Sequence, residues 1–122
     1  MKVETKIVET TEKAGWFGTR PIHQLQFKVI FTEVEVATIK KAGLKNFEYL
    51  PATERTGGVP WTINMWLDQP KVFSDGRDYA YRGYPNLIEA QSNLQLLKSN
   101  LQELKRLMDA SASIGTEDSF EL

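Results

Sequence analysis

A leucine-rich seam near the C-terminal end constrains this chain more than any other feature. Its members recur at steps of three and four: Leu87, Ala90, Leu94, Leu97, Leu101, Leu104 and Met108. This spacing is that of heptad a and d positions and predicts a helix over residues 86–110. Such a helix is roughly 37 Å long, whereas strands of ordinary length make a sheet only about 20 Å across. A sheet of that size would leave part of the seam uncovered.

The uncovered part predicts an interface between subunits. Leucines left in water would each forgo roughly 1.5–3 kcal/mol of burial. The flanking polar positions carry no charge pattern for a parallel coiled coil, which favours an antiparallel or sheet-backed homodimer. The alternative is that the seam is buried by its own monomer or by a different protein. The candidate interface residues are Leu94, Leu97, Leu101, Leu104, Leu107 and Met108.

The first half of the chain predicts two strands and a short helix. Residues 2–11 and 23–31 carry the alternation of half-buried strands, and a hairpin is their simplest pairing, with Gly15-Trp16-Phe17-Gly18 in the connection. Thr32 and Glu35 have capping-box spacing, and Gly43 is placed to end the helix in a Schellman turn. Residues 31–44 resemble segments of small bacterial proteins, and the resemblance implies no activity.

The second half predicts further strands before the long helix. Residues 47–50 and 61–67 are strand candidates, and Asp75-Gly76 marks the turn of a terminal hairpin over residues 72–82. We therefore expect an α+β fold: an antiparallel sheet of four to six strands, a short helix after strand 2, and a long C-terminal helix packed on one face. Residues 1–110 form a single domain in this prediction, and residues 111–122 form a flexible acidic tail.

Composition excludes several classes of function. The 122 residues include no cysteine and one histidine, which removes thiol chemistry, disulfides and multi-histidine metal sites. The formal charge of −1 gives no general attraction to nucleic acid or an anionic membrane. The sequence contains no long apolar run of the kind that predicts a signal peptide or a membrane span. We therefore expect a cytoplasmic protein without a membrane partner.

No motif for catalysis or for a cofactor is recognisable. His23 lies at the start of a predicted strand, where a hydrogen-bonded structural role is the ordinary one; an enzyme using His23 and an aspartate is a third hypothesis. Asp75 and Asp78 lack the oxygen ladder of a calcium loop. We therefore predict no catalytic residue, no metal site and no cofactor.

One stretch has the chemistry of a binding surface. The candidates are Trp66, Arg77, Tyr79, Tyr81 and Arg82. Aromatic rings interleaved with guanidinium groups suit unpaired bases and phosphates, and they also suit protein interfaces or plain packing. The preferred hypothesis is a non-enzymatic protein acting by protein association, as a homodimer or adaptor. The alternative is a single-stranded nucleic-acid binder that uses this aromatic and arginine surface.

Overall fold

Two long elements, a β-hairpin and a C-terminal helix, set the dimensions of the molecule. The computed structural model describes residues 1–53, 58–68 and 72–117, with residues 112–117 described by their backbone alone. The elements are, in chain order, β1 (Lys2–Ala14), β2 (Gly18–Ile30), α1 (Glu33–Lys41), β3 (Glu48–Leu50), β4 (Trp61–Thr62), a 3-10 helix (Ile63–Trp66), β5 (Ala80–Tyr84) and α2 (Leu87–Glu117).

The main sheet has the strand order β1-β2-β5 and is antiparallel throughout. β1 and β2 pair along their whole lengths, from Lys2 opposite Ile30 to Ala14 opposite Gly18. β5 pairs only with residues 23–27 of β2. The hairpin therefore extends beyond β5 as a two-stranded ribbon, and β1 forms one edge of the sheet as described. Alternating residues of this edge strand project charged side chains into solvent, among them Lys2, Glu4 and Lys6.

The α+β class and the antiparallel pairing are confirmed, but the predicted strand count is wrong. The described chain forms a sheet of three strands and a separate sheet of two, β3 with β4, rather than one sheet of four to six strands. The Asp75-Gly76 turn is present, with Gly76 at a φ of 85°. Only residues after Tyr79 become a strand there, because β5 pairs with β2 across the chain and not with its sequence neighbours.

The short helix has the predicted ends. The Glu35 backbone N–H donates to the Thr32 hydroxyl, and the Glu35 carboxylate accepts from the Thr32 backbone N–H, which completes the capping box. At the other end the Leu44 N–H donates to the Ile39 carbonyl while Gly43 has a φ of 71°. This is a Schellman ending, and it turns the chain toward β3.

The predicted strand over residues 61–67 is mostly a 3-10 helix. Only Trp61 and Thr62 are strand, and the buried residues in the rest of the segment are Ile63, Trp66 and Leu67. Burial at i, i+3 and i+4 is helical spacing, which the alternation of apolar letters in this short run concealed. The change of structure turns the Trp66 indole into the core.

The long helix is covered within its own subunit, which corrects the geometric argument for an interface. α2 packs against both sheets and α1. Leu97, Leu101, Leu104 and Met108 are buried, and Leu94 and Leu107 are partly buried. β3 and α1 cover the seam together with the main sheet, so the width of the main sheet does not limit how much of the helix is buried. The buried residues of the seam belong to the core of the subunit.

The helix also runs past its predicted end, since α2 continues through Glu117 instead of stopping at residue 110. The predicted tail thus begins inside the helix, and its residues 118–122 lie outside the described part of the chain. Within the described residues, no helix combines the length and apolar character needed to cross a membrane.

The ribbon is covered on different faces along its length. Up to Ile7, the odd-numbered residues of β1 are the less exposed ones, and from Val8 onward the even-numbered residues are. β2 shows the same change, with Ile22 buried at one end and Leu25, Phe27 and Val29 buried toward the other. The core half of the hairpin therefore faces α2, while the distal half exposes that face and leads to the connection at residues 15–17.

Candidate functional site

A groove of about 880 Å³ lies between the β5 end of the sheet and the segment that enters β4. We call it the aromatic groove. Its lining residues are Glu12, Arg20, Ile22, Val59, Pro60, Trp61, Thr62, Met65, Phe73, Arg77, Ala80, Tyr81, Arg82 and Gly83. The volume falls in the range of pockets that hold drug-sized molecules or several side chains. The walls are mainly apolar and aromatic, with three guanidinium groups among them.

Arg77 is the centre of an aromatic cluster in this groove. Its guanidinium carbon lies 4.1 Å from the centre of the Tyr81 ring, 5.2 Å from that of Phe73 and 5.4 Å from that of Tyr79. The Asp75 carboxylate forms an ion pair with this guanidinium. Burial raises the pKa of the Asp75 carboxyl, but the hydrogen bonds and charge of Arg77 outweigh it and leave that pKa below its usual range. Arg77 is thus held as a flat, positively charged platform.

Arg82 contributes a charge that no carboxylate of the described residues neutralises. Its side chain is almost fully buried, since only 4% is exposed, and its guanidinium carbon lies 5.5 Å from the centre of the Trp61 ring. Nη1 donates to the Pro51 carbonyl at 2.9 Å, while Nε and Nη2 are buried without a hydrogen-bond acceptor. The charge is therefore sealed behind Trp61, and it adds positive potential to the groove without offering its N–H groups to a ligand.

The other groove charges are balanced. Arg20 Nη2 lies 2.5 Å from Glu12 Oε1 across the ribbon. Since Arg77 is paired with Asp75, the unbalanced charge of the described groove residues comes from Arg82. The groove is weakly positive, and its dominant chemistry is that of aromatic and apolar side chains.

Trp66 was predicted to lie on the ligand surface, but the structure places it in the core. The residue is fully buried, and its indole Nε1 donates to the Tyr49 hydroxyl at 2.8 Å. The Tyr49 hydroxyl in turn donates to Met65 Sδ at 3.1 Å, and burial raises the pKa of Tyr49 well above its usual range. This residue pair is a core feature. The structure brings together Arg77, Tyr81 and Arg82 in the groove, with Tyr79 in contact with Arg77 outside it.

His23 lies apart from the groove. It is half-buried and faces Tyr84 across β2 and β5, and its Nδ1 is buried without a hydrogen-bond partner. Burial raises the pKa of the Tyr84 hydroxyl, and the nearby Arg82 charge opposes that shift. Neither residue lines the groove, so the geometry gives no support to an acid–base role for His23. Among the described residues no three metal-binding side chains form a group.

The second feature is the end of the hairpin, which we call the apex, residues 14–19. Trp16 is 94% exposed and Phe17 is 99% exposed. Gly15 has a φ of 69°, and a Cβ on Gly18 would lie 2.8 Å from the Ala14 carbonyl oxygen, so both glycines shape this tight connection. The apex contains no charged residue. It presents two aromatic side chains on a projecting support.

Sequence reasoning missed the wall of the groove and the exposure of the apex. Trp61 and Phe73 reach the groove through tertiary packing, which no local pattern records. The apex had a local signal, because two aromatic residues between two glycines in a predicted connection have no strand face on which to be buried.

Comparison of the chain with protein-family models finds no match, and comparisons with curated proteins and with solved structures also find none. The function is therefore inferred from the aromatic groove and the apex.

Proposed function

We propose that this protein is a non-enzymatic protein that acts by associating with a second copy of itself, through the distal half of the hairpin instead of through the long helix. The observation that carries the proposal is the near-complete exposure of Trp16 and Phe17 at the apex. Interfaces are enriched in aromatic residues, and truncating a central tryptophan commonly costs about 2 kcal/mol or more of binding free energy.

The position of these residues supports association over a role in folding. The apex lies beyond the end of β5, where the ribbon has only two strands. Trp16 and Phe17 are therefore remote from the core of their own subunit. Leaving two large aromatic side chains in water forgoes several kcal/mol of burial by area. That cost is recovered when a partner covers the apex.

Sedimentation equilibrium tests this proposal. The double variant Trp16→Ser with Phe17→Ser is expected to raise the dissociation constant of the dimer by roughly thirty-fold or more, which corresponds to a loss of about 2 kcal/mol. Ile88→Ser is the matched control, because Ile88 is 77% exposed on α2 and far from the apex in sequence. A wild-type protein that is monomeric up to high micromolar concentration would contradict the proposal.

A second candidate function, binding of single-stranded nucleic acid, is favoured by the Arg77 platform on Tyr81 and by the buried charge of Arg82, which no carboxylate of the described residues pairs. A base could stack on the exposed side of Tyr81, with phosphates drawn by the positive groove. The balanced Arg20 and Arg77 charges reduce this attraction, so self-association is the preferred proposal.

Oligonucleotide titration distinguishes the two candidates. With a fluorescein-labelled single-stranded oligonucleotide at low salt, nucleic-acid binding predicts an anisotropy rise that Tyr81→Ala weakens and the apex double variant leaves unchanged. Self-association predicts no rise with oligonucleotide, and a dimer that the apex variant disrupts.

A further inference from the structure

We infer that the apex of one copy occupies the aromatic groove of the other copy, in a reciprocal arrangement. This inference rests on the proposed self-association and names the surface that receives the apex. In this arrangement Trp16 and Phe17, the most exposed aromatic pair among the described residues, pack into the aromatic groove, whose walls are aromatic and apolar.

The groove has the size and lining that the apex requires. A cavity of about 880 Å³ has room for the side chains of Trp16 and Phe17 together. Val59 stands 63% exposed at this groove, beside the Trp61 wall, so apolar surface is available there as well as on the apex. Docking would cover both exposed sets at once.

The chemistry of the groove suits aromatic guests. Arg77 already stacks on Tyr81, and Arg82 already stacks on Trp61. A ring entering from outside would meet the exposed Tyr81 ring and the Arg77 guanidinium, with which it forms edge and cation–π contacts, while the Arg82 guanidinium stays buried behind Trp61. The apex brings no charge of its own, so its entry leaves no ion without a partner.

A copy cannot place its apex in its own groove. Glu12 and Arg20 line the groove and belong to the same ribbon, and the apex lies only about 10–13 Å farther along it. The strands stay paired up to Ala14 and Gly18, so the ribbon has no hinge at which to fold back. The occupant must come from another molecule.

Reciprocity is a consequence of two-fold symmetry. A two-fold axis that brings one apex to the partner's groove also brings the partner's apex to the first groove. Two apices with two aromatic side chains each bury about 600–1,000 Å² of their own surface. The exposed lining of the two grooves adds less than this, so the total lies near the lower limit of specific interfaces, about 1,200 Å², and a single insertion would give half of it.

Cysteine cross-linking tests the inference, because the natural chain contains no cysteine that would interfere. A copy carrying Phe17→Cys, which keeps Trp16, is mixed under oxidising conditions with a copy carrying Val59→Cys. The mixed disulfide is expected to form on the order of tenfold faster or more than with a copy carrying Ile88→Cys, since docking raises the local concentration of the first pair. Sedimentation of Val59→Glu adds a second measurement, with dimer loss comparable to that of the apex double variant.

The outcomes separate this inference from the proposal beneath it. Equal rates of disulfide formation with the Val59 and Ile88 partners, in a protein that does sediment as an apex-dependent dimer, would overturn the groove as the receiving surface and leave self-association standing. A monomeric wild-type protein would overturn both. Cross-linking within a single doubly substituted copy, at a rate independent of concentration, would also overturn the inference, because it would place the apex in its own groove.

Discussion

The Trp66 indole N–H donates a hydrogen bond to the Tyr49 hydroxyl across the centre of the core, and both side chains are almost completely inaccessible to solvent. The Phe27 ring packs edge-on against Tyr49 at 5.8 Å, and the Asn100 amide donates to the Tyr49 carbonyl at 3.0 Å. One residue of β3 thus connects the main sheet, the 3-10 helix and α2. The small second sheet is part of the core because of this residue.

Replacing Tyr49 by phenylalanine is expected to lower the free energy of unfolding by about 1–3 kcal/mol, because it removes the buried acceptor of the indole hydrogen bond and preserves the ring. Urea unfolding measures the change. Tyr81→Phe, at a partly exposed position, is the control and should alter stability by less than about 0.5 kcal/mol. Equal effects of the two substitutions would contradict a structural role for the Tyr49 hydroxyl.

The neighbouring residues Leu96 and Leu97 test where the helical seam is covered. Leu97 is buried and Leu96 is 38% exposed. Leu97→Ala should destabilise the folded subunit by about 2–5 kcal/mol, and Leu96→Ala by less than about 1 kcal/mol. Urea unfolding at two protein concentrations gives both values. If Leu97→Ala dissociated a dimer while leaving the monomer as stable as before, the seam would be an interface after all.

Thr32→Ala removes the hydroxyl that caps α1 and is expected to cost about 1 kcal/mol of stability. Thr38→Ala is the same chemical change inside the helix, where the Thr38 hydroxyl donates to the Val34 carbonyl. Such a bond contributes little to helix stability, and alanine is the better helix former, so this control should be neutral or slightly stabilising. Thermal unfolding followed by circular dichroism resolves the difference.

The ion pair of Lys28 with Asp78 predicts a pH dependence. The hydrogen bond and charge of Lys28 lower the pKa of the Asp78 carboxyl below its ordinary value of 3.8. A carboxyl whose pKa is lower in the folded state stabilises the fold at pH values above its unfolded pKa, and this contribution is lost as the pH falls through the folded pKa. The stability difference between wild type and Asp78→Asn should therefore shrink below about pH 4.

Titration of the Asp78 carboxyl by NMR is the direct measurement, with Lys28→Gln as the control variant. The substitution should return the pKa of Asp78 toward its ordinary value. Because both side chains are at the surface, added salt should reduce the shift in wild type as well. An unchanged pKa in Lys28→Gln would show that the pair does not persist in solution.

Local patterns predicted those parts of the fold that local chemistry decides. The Thr32 cap, the Gly43 ending and the inward side of β2 around Leu25 and Phe27 depend on spacing along a few residues. The pairing of β5 with β2 is a contact between distant parts of the chain, and the local Asp75-Gly76 turn pointed to a different partner. Residues 12–14 and 18–22 extend the hairpin without clear alternation, so the true strand length was hidden.

The candidate site was predictable only in part for the same reason. Arg77, Tyr81 and Arg82 are close in sequence and meet in the groove, as expected of a clustered surface. Trp66 lies on the polar side of the predicted strand, but the 3-10 helix rotates it inward. The opposing wall, Val59 to Trp61, is brought to the groove by the pairing of β4 with β3 and by the contact of Trp61 with Arg82 of β5.

The outer strand of the hairpin has a consequence for how this molecule behaves at high concentration. Along β1 the backbone groups of one side have no neighbouring strand in the described chain, and such a border is a template for unlimited stacking of further chains. Lysine and glutamate side chains alternate along it, so an incoming strand out of register would set like charges against each other. This charge order is expected to disfavour edge-to-edge stacking of further chains on β1.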